Sequence, residues 1–424
     1  MRHTTPRQSV KMMLEAEPAP RHAGIMRALP LILLMVLAGC ATSPRGGGVE
    51  VAVAFDRAGE RGASASGFAD PATRRAATPD DPVRIASISK LVVAIGVMRL
   101  VEDKALDLDR PVGDYLGYRV ENPAFRGHKV TLRRLLSHTA SLRDHDDQYA
   151  IPLGETLRTM LDDPASWDPV HGPDAGYFTY GNFNFPVVAS VIEKVTGTRF
   201  DLVMKRLVLD PLKLDACFNW PQCSDATVAR AIVLTQDGKA VRDDLKGVRP
   251  ACPVFVRDGR PCDLDRFVPG ENGALFAPQG GLRISARGLA RIGRMLIGDG
   301  AVDGVRILSP ESVAIMLRPA WTFDGRNGVT DGGVTCRYGL AVHLPATRLA
   351  GCVDDPGLPS GDWIGHSGEA YGLRSGLWID RASGTGMAYF ATGLDPAPRR
   401  GRSGFTAAEE KLVARAVALG TRSR

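Results

Sequence analysis

The sequence predicts a mixed α/β (α+β) fold: an antiparallel sheet flanked by helices, with an inserted, mostly helical subdomain. Strand patterns occur near residue 50 and return after residue 338, and helical patterns fill much of the chain between them. Strands at both ends that enclose a helical middle indicate one sheet built from both termini. The chain has 424 residues, 44% hydrophobic and 24% charged, which is enough apolar material for a sizeable core.

Each predicted element rests on its own residue pattern. Valine- and alanine-rich segments next to a turn indicate two N-terminal strands, and a long apolar, proline-free run after Ser87 indicates a buried helix. The predicted strands cover residues 49–55, 63–68, 338–344, 374–379 and 386–394, and the predicted helices cover residues 87–102, 130–137, 185–196, 285–296, 310–317 and 406–419. Residues 220–278, rich in proline, glycine and aspartate, are predicted to be mostly loops.

An export signal is predicted near the start of the chain. Arg27 precedes a ten-residue apolar run, residues 28–37, which is too short to anchor stably in a bilayer. A charged start, an apolar middle and a small-residue end are typical of a signal peptide. We assign residues 1–39 to a leader and signal peptide, and residues 40–48, with their run of glycines, to a flexible tether. A short buried helix is the alternative for the apolar run.

The same segment resembles a bacterial lipoprotein signal, in which the cysteine after the cleavage point, here Cys40, becomes lipidated. Ala41 follows that cysteine where retention in the inner membrane would favour aspartate. The resemblance therefore implies an outer-membrane lipoprotein at the periplasmic face of the envelope. An ordinary cleaved signal is the alternative, and Met26 competes with Met1 as the translation start.

The charge balance gives no support to a nucleic-acid or membrane-surface partner. The formal net charge is +6, but residues 1–39 carry +3 of it. The remaining +3 is spread along the chain without a dense lysine or arginine run. Such a distribution lacks the basic patch that phosphate backbones require. We expect contact with a membrane only through the N-terminal lipid anchor.

Six cysteines remain once Cys40 is set aside, and they lie in three pairs close in sequence. An even number in an exported protein favours disulfides. Fifteen connectivities are formally open, and we expect the sequential pairing. A metal site is the alternative, but the six form no Cys-x-x-Cys and no histidine lies at zinc-ligand spacing. No metal or other cofactor is expected. The expected pairs are Cys217 with Cys223, Cys252 with Cys262, and Cys336 with Cys352.

The first chemical motif is Ser87-Ile-Ser-Lys90, at the start of the predicted buried helix. Residues three apart share one helix face, so Lys90 can reach the Ser87 hydroxyl. A serine becomes a nucleophile when a base removes its proton, and burial lowers the pKa of a lysine enough for that task. A helix N-terminus also directs backbone N–H groups at a developing oxyanion. The alternative is a capping serine with a surface lysine.

Two further motifs lie far along the chain. Tyr180-Gly-Asn182 offers a proton relay and an amide that can hold both a lysine and a substrate, although Gly-Asn is also a common turn. His366-Ser367-Gly368, before the predicted strand at residues 374–379, offers donors and a close backbone approach. A turn with a hydrogen-bonded histidine is the alternative there.

The order Ser-x-x-Lys, Tyr-x-Asn, His-x-Gly resembles the serine β-lactamase and DD-peptidase superfamily, particularly its class C-like branch. The resemblance covers essentially the whole chain after the tether. It implies a β-lactamase/transpeptidase-like domain over residues 49–420, with a sheet subdomain at about 49–110 and 285–420 and a helical one at about 111–284. The flanking matches are residues 84–90, 106–112, 130–139, 192–197, 210–214, 280–282 and 365–368.

The resemblance implies a role for each motif residue. Ser87 is the acylated nucleophile, Lys90 its activating partner, and Tyr180 the general base that passes the proton to the leaving group. Asn182 orients Lys90 and the substrate. Substrate-binding groups come from His366, Ser367, Gly368 and Glu369, and the backbone N–H groups of Ser87 and Glu369 form the oxyanion hole. His138 belongs to no catalytic motif and is interpreted as structural.

Two departures from the family pattern bear on the substrate. His366 stands where many relatives carry lysine, and a neutral imidazole attracts a carboxylate less than an ammonium does. Glu369 adds a carboxylate that repels anionic substrates. The predicted function is an exported hydrolase that forms an acyl-enzyme at Ser87 and acts on peptidoglycan D-amino-acid peptides or related amides and esters, as a DD-carboxypeptidase does.

Other functions stay open at this point. Within the same chemistry, a β-lactamase and a carboxylesterase compete with the DD-carboxypeptidase. A penicillin-binding or sensory domain that acylates without turnover is a second class, and a catalytically inactive structural lipoprotein is a third. A metalloenzyme lacks support because the sequence contains no His-Glu-x-x-His. The expected partner is a small-molecule or cell-wall peptide substrate, and the sequence does not specify an oligomeric state.

Overall fold

The computed structural model describes residues 48–145, 149–236, 239–240, 249–257 and 259–421. The predicted leader, the lipidation site Cys40 and all but the last residue of the predicted tether lie outside the described residues. Residues 44–424 form one unit by their internal contacts. In the part of the chain that the structure describes, no helix is long and apolar enough to cross a bilayer.

The described chain alternates short strands with helices. The strands are β1 Glu50–Asp56, β2 Glu60–Ser66, β3 Phe68–Asp70, β4 Arg75–Ala76, β5 Val83–Arg84, β6 Cys217–Phe218, β7 Thr235–Gln236, β8 Lys239–Ala240, β9 Leu282–Ile284, β10 Ala301–Val302, β11 Val305–Arg306, β12 Trp321–Thr322, β13 Arg337–Tyr338, β14 Trp363–Ala370, β15 Leu373–Asp380 and β16 Thr385–Ala391. The helices are α1 Ile88–Glu102, α2 Val112–Leu116, α3 Leu132–Leu136, α4 Leu157–Leu161, α5 Asn184–Thr196, α6 Phe200–Met204, α7 Asp225–Arg230, α8 Ala286–Ile297, α9 Pro310–Leu317 and α10 Ala407–Thr421.

One antiparallel sheet joins the two ends of the chain in the order β14-β15-β16-β1-β2. β1 pairs with β16 from Glu50 opposite Ala391 to Asp56 opposite Thr385. Alternate residues of β1 enter different clusters: Val51 packs with the core that holds α8, and Ala52 packs with α10. Because both faces are covered by helices, β1 is apolar on both sides. The prediction of one sheet built from both termini is confirmed.

The helix α1 lies inside the core, and this explains its composition. Its side chains are buried around most of its circumference, including Leu91, Val92 and Ile95 at 0% exposure. A helix that is hydrophobic all round is typical of the interior of a large domain. A 3-stranded sheet, β5-β9-β6, lies at its N-terminal end, since β5 ends three residues before Ser87.

Two strand predictions need correction. The strand predicted at residues 338–344 is confined to β13, because Ala341 has φ 56°, which an extended strand does not allow. The strand predicted at residues 63–68 is divided between β2 and β3 by Gly67, whose φ is 91°. β14 was not predicted, since its sequence mixes histidine, serine and glycine without the usual alternation.

The three disulfides form between the expected sequential pairs. Cys217–Cys223, Cys252–Cys262 and Cys336–Cys352 close loops of 6, 10 and 16 residues, with Cα–Cα distances of 5.0, 5.6 and 6.2 Å. The first two stabilise residues 217–262, whose described part is mostly loop, as predicted for residues 220–278, apart from α7 and the three short strands β6, β7 and β8. Disulfides of this kind are typical of proteins from oxidising compartments.

Candidate active site

Ser87 lies at the N-terminus of α1, where a strained turn presents it to the surface. The preceding residue, Ala86, has φ 51°, which is unusual for a residue with a Cβ atom. Ser87 itself is the N-cap residue, with φ −64° and ψ −13°. The turn from β5 into α1 therefore holds both the hydroxyl and the backbone N–H of Ser87 at the positive end of a long buried helix.

Lys90 is fully buried one turn into α1 and reaches back to Ser87. Its Nζ lies 3.0 Å from Ser87 Oγ, 2.8 Å from Asn182 Oδ1 and 3.0 Å from the Gln279 carbonyl oxygen. Burial lowers its pKa to about 7, and the negative charge of Asp144 partly opposes this shift. A large fraction of this amine is therefore neutral at physiological pH.

The three partners of Lys90 Nζ match the neutral amine. A neutral –NH₂ group has two N–H donors and one lone pair. The carbonyl oxygens of Asn182 and Gln279 can only accept hydrogen bonds, so they take the two N–H groups. The lone pair is then left for the Ser87 hydroxyl, which can donate its proton to it. This geometry fits a base that activates a serine.

Asp144 holds Asn182 in place, and the sequence did not reveal it. Its Oδ2 accepts hydrogen bonds from Asn182 N at 2.8 Å and Asn182 Nδ2 at 3.0 Å, and its Oδ1 accepts from Phe183 N at 2.9 Å. These bonds fix which end of the Asn182 amide faces Lys90. Asp144 lies in no motif, so only its place in the fold shows this role.

Tyr180 lies over Lys90 beside Ser87. Lys90 Nζ is 4.9 Å from the Tyr180 ring centroid. Burial raises the pKa of the Tyr180 phenol, and an interaction with Ser87 partly opposes this shift. The His138 ring lies against Tyr180, with 4.4 Å between the centroids, and its Nδ1 accepts a hydrogen bond from Gly181 N at 3.2 Å. These contacts give His138 a supporting position, which agrees with its interpretation as structural.

β14 brings the third motif to Ser87. His366, Ser367, Gly368 and Glu369 all lie within this strand rather than in a turn before one. A Cβ atom on Gly368 would lie 3.2 Å from Ser87 N and would overlap the Ile85 carbonyl oxygen. Only glycine therefore allows β14 to approach the start of α1 this closely. The predicted oxyanion-hole residues, Ser87 and Glu369, flank this point of contact.

His366 faces the cleft, but hydrogen bonds within the protein engage both of its ring nitrogens. Nε2 lies 2.9 Å from the Tyr338 hydroxyl, and Nδ1 lies 2.5 Å from the Ser367 carbonyl oxygen. Because a carbonyl only accepts, Nδ1 carries the hydrogen, and Nε2 accepts from Tyr338. Burial and neighbouring bases hold the pKa of His366 well below its usual range, so the ring is neutral.

The motifs line one cleft of about 440 Å³. Its charged rim contains Glu369 and Arg374, which form an ion pair, together with Asp331 and Arg400. Buried Glu409 has a raised pKa because of its burial. No group of three or more potential ligands within the described ranges is arranged to hold a metal ion. The arrangement offers a nucleophile, a base and a close backbone cradle, which are the parts needed for acyl transfer.

The predicted residues of the three motifs are therefore together in space. Ser87, Lys90, Tyr180 and Asn182 lie within one set of contacts, and β14 closes the other side of the cleft. The six disulfide cysteines line no part of this cleft, and Cys40 lies outside the described residues. The catalytic and binding roles of these residues stay predictions.

Comparison with known proteins gives the family and agrees with the fold. The family model described as Beta-lactamase matches residues 41–410. "Penicillin-binding protein 4" from Amycolatopsis lactamdurans is 27% identical over 340 residues, which is 78% of this chain and 77% of that protein. "Esterase EstB" from Burkholderia gladioli is 30% identical over 177 residues, 36% of this chain and 42% of that protein. The solved structure of the octameric penicillin-binding protein homologue from Pyrococcus abyssi superposes with a TM-score of 0.62 at 20% identity, covering 88% of this chain and 74% of that one.

Proposed function

The chain belongs to the beta-lactamase family, and on that premise we propose that it is a serine hydrolase that cleaves amide or ester bonds through an acyl-enzyme on Ser87. One observation supports the proposal above all: the Lys90 amine, fully buried and with its pKa lowered to about 7, lies 3.0 Å from Ser87 Oγ. A surface lysine beside a capping serine would be protonated and mobile. Here the lone pair of a neutral amine faces the hydroxyl.

The proposed reaction proceeds in two halves. Lys90 takes the hydroxyl proton as Ser87 Oγ attacks the substrate carbonyl, and the oxyanion receives hydrogen bonds from the backbone N–H groups of Ser87 and Glu369. Tyr180 delivers the proton to the departing amine or alcohol, which breaks the bond to the leaving group. Lys90 is neutral again once Tyr180 has relayed its proton to the leaving group. A water molecule then loses a proton to Lys90 through Tyr180 as it attacks the acyl carbonyl, and that proton returns to Ser87 Oγ when the acid is released.

The finer proposal concerns place and substrate. The three disulfides, the predicted signal and Cys40 support an exported enzyme held by lipid at the periplasmic face. Its expected substrates are peptidoglycan-derived D-amino-acid peptides and related amides or esters. The likeness to "Penicillin-binding protein 4" supports this choice.

An ester hydrolase is the second candidate. The neutral, fully engaged His366 ring favours it, because this ring offers no cation to a free carboxylate. The likeness to "Esterase EstB" favours it as well.

Intact-mass measurement tests the nucleophile. A soluble protein beginning at Ala41 is mixed with a penicillin, and its mass is recorded over time beside Ser87→Ala. Ser383→Ala, an exposed serine on the β15–β16 turn, is the matched control. We expect an adduct in the parent and in Ser383→Ala that is lost in Ser87→Ala. An adduct of equal yield in Ser87→Ala would contradict the assignment.

The time course separates the remaining candidates. A lasting adduct supports a DD-peptidase or a penicillin-binding domain, whereas consumption of the penicillin supports a β-lactamase. If no adduct forms and the penicillin stays intact, the β-lactam and DD-peptide proposals fail, and hydrolysis of p-nitrophenyl esters, abolished in Ser87→Ala, becomes the decisive assay.

A further inference from the structure

His343 lies in the wall of the same cleft but belongs to none of the three motifs. Its ring centroid is 4.4 Å from that of His366 and 6.5 Å from that of Tyr180. Its backbone is tied to β14 by two hydrogen bonds, from His343 N to the Gly365 carbonyl at 2.7 Å and from Gly365 N to the His343 carbonyl at 3.0 Å. The side chain is therefore held beside Tyr180, the residue proposed to protonate the leaving group.

The ring nitrogens of His343 make no hydrogen bond to any residue that the structure describes. Nε2 is buried without a hydrogen-bond partner among the described residues, and no partner for Nδ1 occurs among them either. Burial and the neighbouring Lys90 lower the pKa of His343 to about 3, so the ring is neutral and carries one hydrogen. Buried N–H groups without a partner are rarer in proteins than unsatisfied acceptors. The hydrogen therefore belongs on Nδ1, the nitrogen left to meet a ligand.

Two neighbouring nitrogen donors are already engaged. His366 donates to the Ser367 carbonyl and accepts from Tyr338. Arg374 is engaged by Glu369. Of these three side chains, His343 is the one whose ring nitrogens have no partner among the described residues.

The charge of the rim decides which ligand suits that donor. Two positive groups, Arg374 and Arg400, line the cleft together with three carboxyl groups, Asp331, Glu369 and the buried Glu409. The positive charges do not exceed the negative ones, so these groups create little net attraction for an anion. A free carboxylate at this point would lose its hydration and gain one neutral hydrogen bond in exchange. For an amide or ester carbonyl, the free energy of desolvation in the same contact is much smaller.

We propose that His343 donates a hydrogen bond from Nδ1 to an uncharged carbonyl in the leaving group, and so selects substrates whose leaving end is a carboxamide or ester rather than a free carboxylate. This inference rests on the proposed acyl-enzyme chemistry. Among the substrates proposed above, it favours amides and esters over peptides whose leaving group ends in a free carboxylate. It assigns His343 a role in specificity.

Three matched substrates test it on the full mature protein. N-acetyl-D-alanyl-D-alaninamide carries the uncharged acceptor, N-acetyl-D-alanyl-D-alanine carries a carboxylate, and N-acetyl-D-alanine isopropylamide carries neither. We expect the highest kcat/KM with the carboxamide. His343→Leu lowers that value by roughly fivefold, as expected for one neutral hydrogen bond, and leaves the isopropylamide unchanged within about twofold.

Two further variants keep the test sharp. His343→Gln retains a side-chain N–H donor and restores most of the carboxamide preference, which a purely structural role would not do. Arg400→Gln removes one cation of the cleft rim and measures how far that charge, rather than His343, sets the preference between carboxamide and carboxylate. Thermal melting of each variant checks folding.

Three outcomes overturn the inference. One is an equal loss on carboxamide and isopropylamide in His343→Leu. Another is a preference for the carboxylate substrate that disappears in Arg400→Gln. The third is no turnover of any of the three substrates by a protein whose Ser87 is still acylated by penicillin, which removes this substrate class but leaves the nucleophile in place.

Discussion

Replacing Asp144 with asparagine isolates the electrostatic part of the proposed mechanism. The variant keeps the shape of the side chain but removes the charge that accepts three hydrogen bonds from Asn182 and Phe183. The charge of Asp144 raises the pKa of Lys90, against the lowering by burial. Activity requires neutral Lys90, so kcat/KM rises with pH through about 7 in the parent. In Asp144→Asn the same rise moves to lower pH.

The structure sets the size of that shift. Asp144 and Lys90 are linked through the Asn182 amide by contacts of 3.0 and 2.8 Å, so their charges are separated by about 7 Å. At that separation the Coulomb attraction between them is about 2 kcal/mol at an effective dielectric constant of about 20 and about 0.6 kcal/mol in water. Asp144 is exposed, and solvent screening therefore favours the lower part of this range. We expect the Lys90 pKa to fall by roughly 0.5–1 unit.

The loss of hydrogen bonds acts on the rate as well. An asparagine at position 144 presents one acceptor oxygen, so it cannot serve all three donors. Asn182 then holds Lys90 less firmly, and kcat falls by roughly tenfold at the pH optimum, since hydrogen bonds to a charged group contribute about 1.5–3 kcal/mol.

The assay is the pH profile of kcat/KM between pH 5 and 9 with a neutral ester. Asp355→Asn is the matched control, because Asp355 also accepts two backbone hydrogen bonds on an exposed turn but lines no part of the cleft. An acid limb that stays in place, or moves to higher pH, would refute the assignment of that limb to Lys90.

Two further variants probe packing and buried charge. Gly368→Ala brings a methyl group into contact with the Ile85 carbonyl oxygen and Ser375 Oγ, so Ser87 acylation slows on the order of 100-fold. The control Gly59→Ala, whose added methyl group meets nothing within 4 Å, leaves the acylation rate unchanged. Equal acylation rates in the two variants would show that β14 can accommodate a side chain at position 368. Burial raises the pKa of Glu193 to about 8, so the folded state binds more protons than the unfolded state between about pH 4.5 and 8, and the free energy of unfolding falls as pH rises through that window. Glu193→Gln flattens this dependence in urea unfolding at pH 5, 6.5 and 8, and an unchanged slope would place the dependence elsewhere.

The parts of the site that the sequence predicted are those set by local geometry or by a recognisable motif. Ser87 and Lys90 are three residues apart on one helix, so their contact follows from helical spacing alone. Tyr180 and Asn182 were placed by the order of the motifs. Strand patterns at the two ends of the chain predicted one sheet built from both termini, and the motif resemblance implied a β-lactamase-like fold, which is confirmed.

The missed parts depend on distant contacts. Nothing in the sequence distinguishes Asp144 from the other aspartates, because its contact with Asn182 forms only in the folded chain. β14 approaches α1 closely, and it carries a histidine, a serine and glycines at this contact. Its sequence therefore lacks the alternating apolar pattern by which ordinary strands are predicted. His343 lay inside a predicted strand, where its side chain had no assigned partner. Its role follows from unused ring nitrogens, which no sequence pattern records.

The buried bases explain why histidine can stand at position 366 without loss of the mechanism. Lys90, His138, His343 and His366 are all buried, and the positive charge of Lys90 lowers the pKa of each histidine. Four bases this close cannot share more than about one proton, because each added cation repels the next in a poorly solvated space. Lys90 has the highest pKa of the four, so it holds that proton and the histidines stay neutral. A lysine at position 366 would add a second ammonium and push the Lys90 pKa lower still. With neutral rings instead, burial, partly opposed by the charge of Asp144, brings the Lys90 pKa to about 7, and position 366 offers no cation to a carboxylate. Histidine at position 366 is thus compatible with Lys90 as the base and agrees with the proposed preference for uncharged substrates.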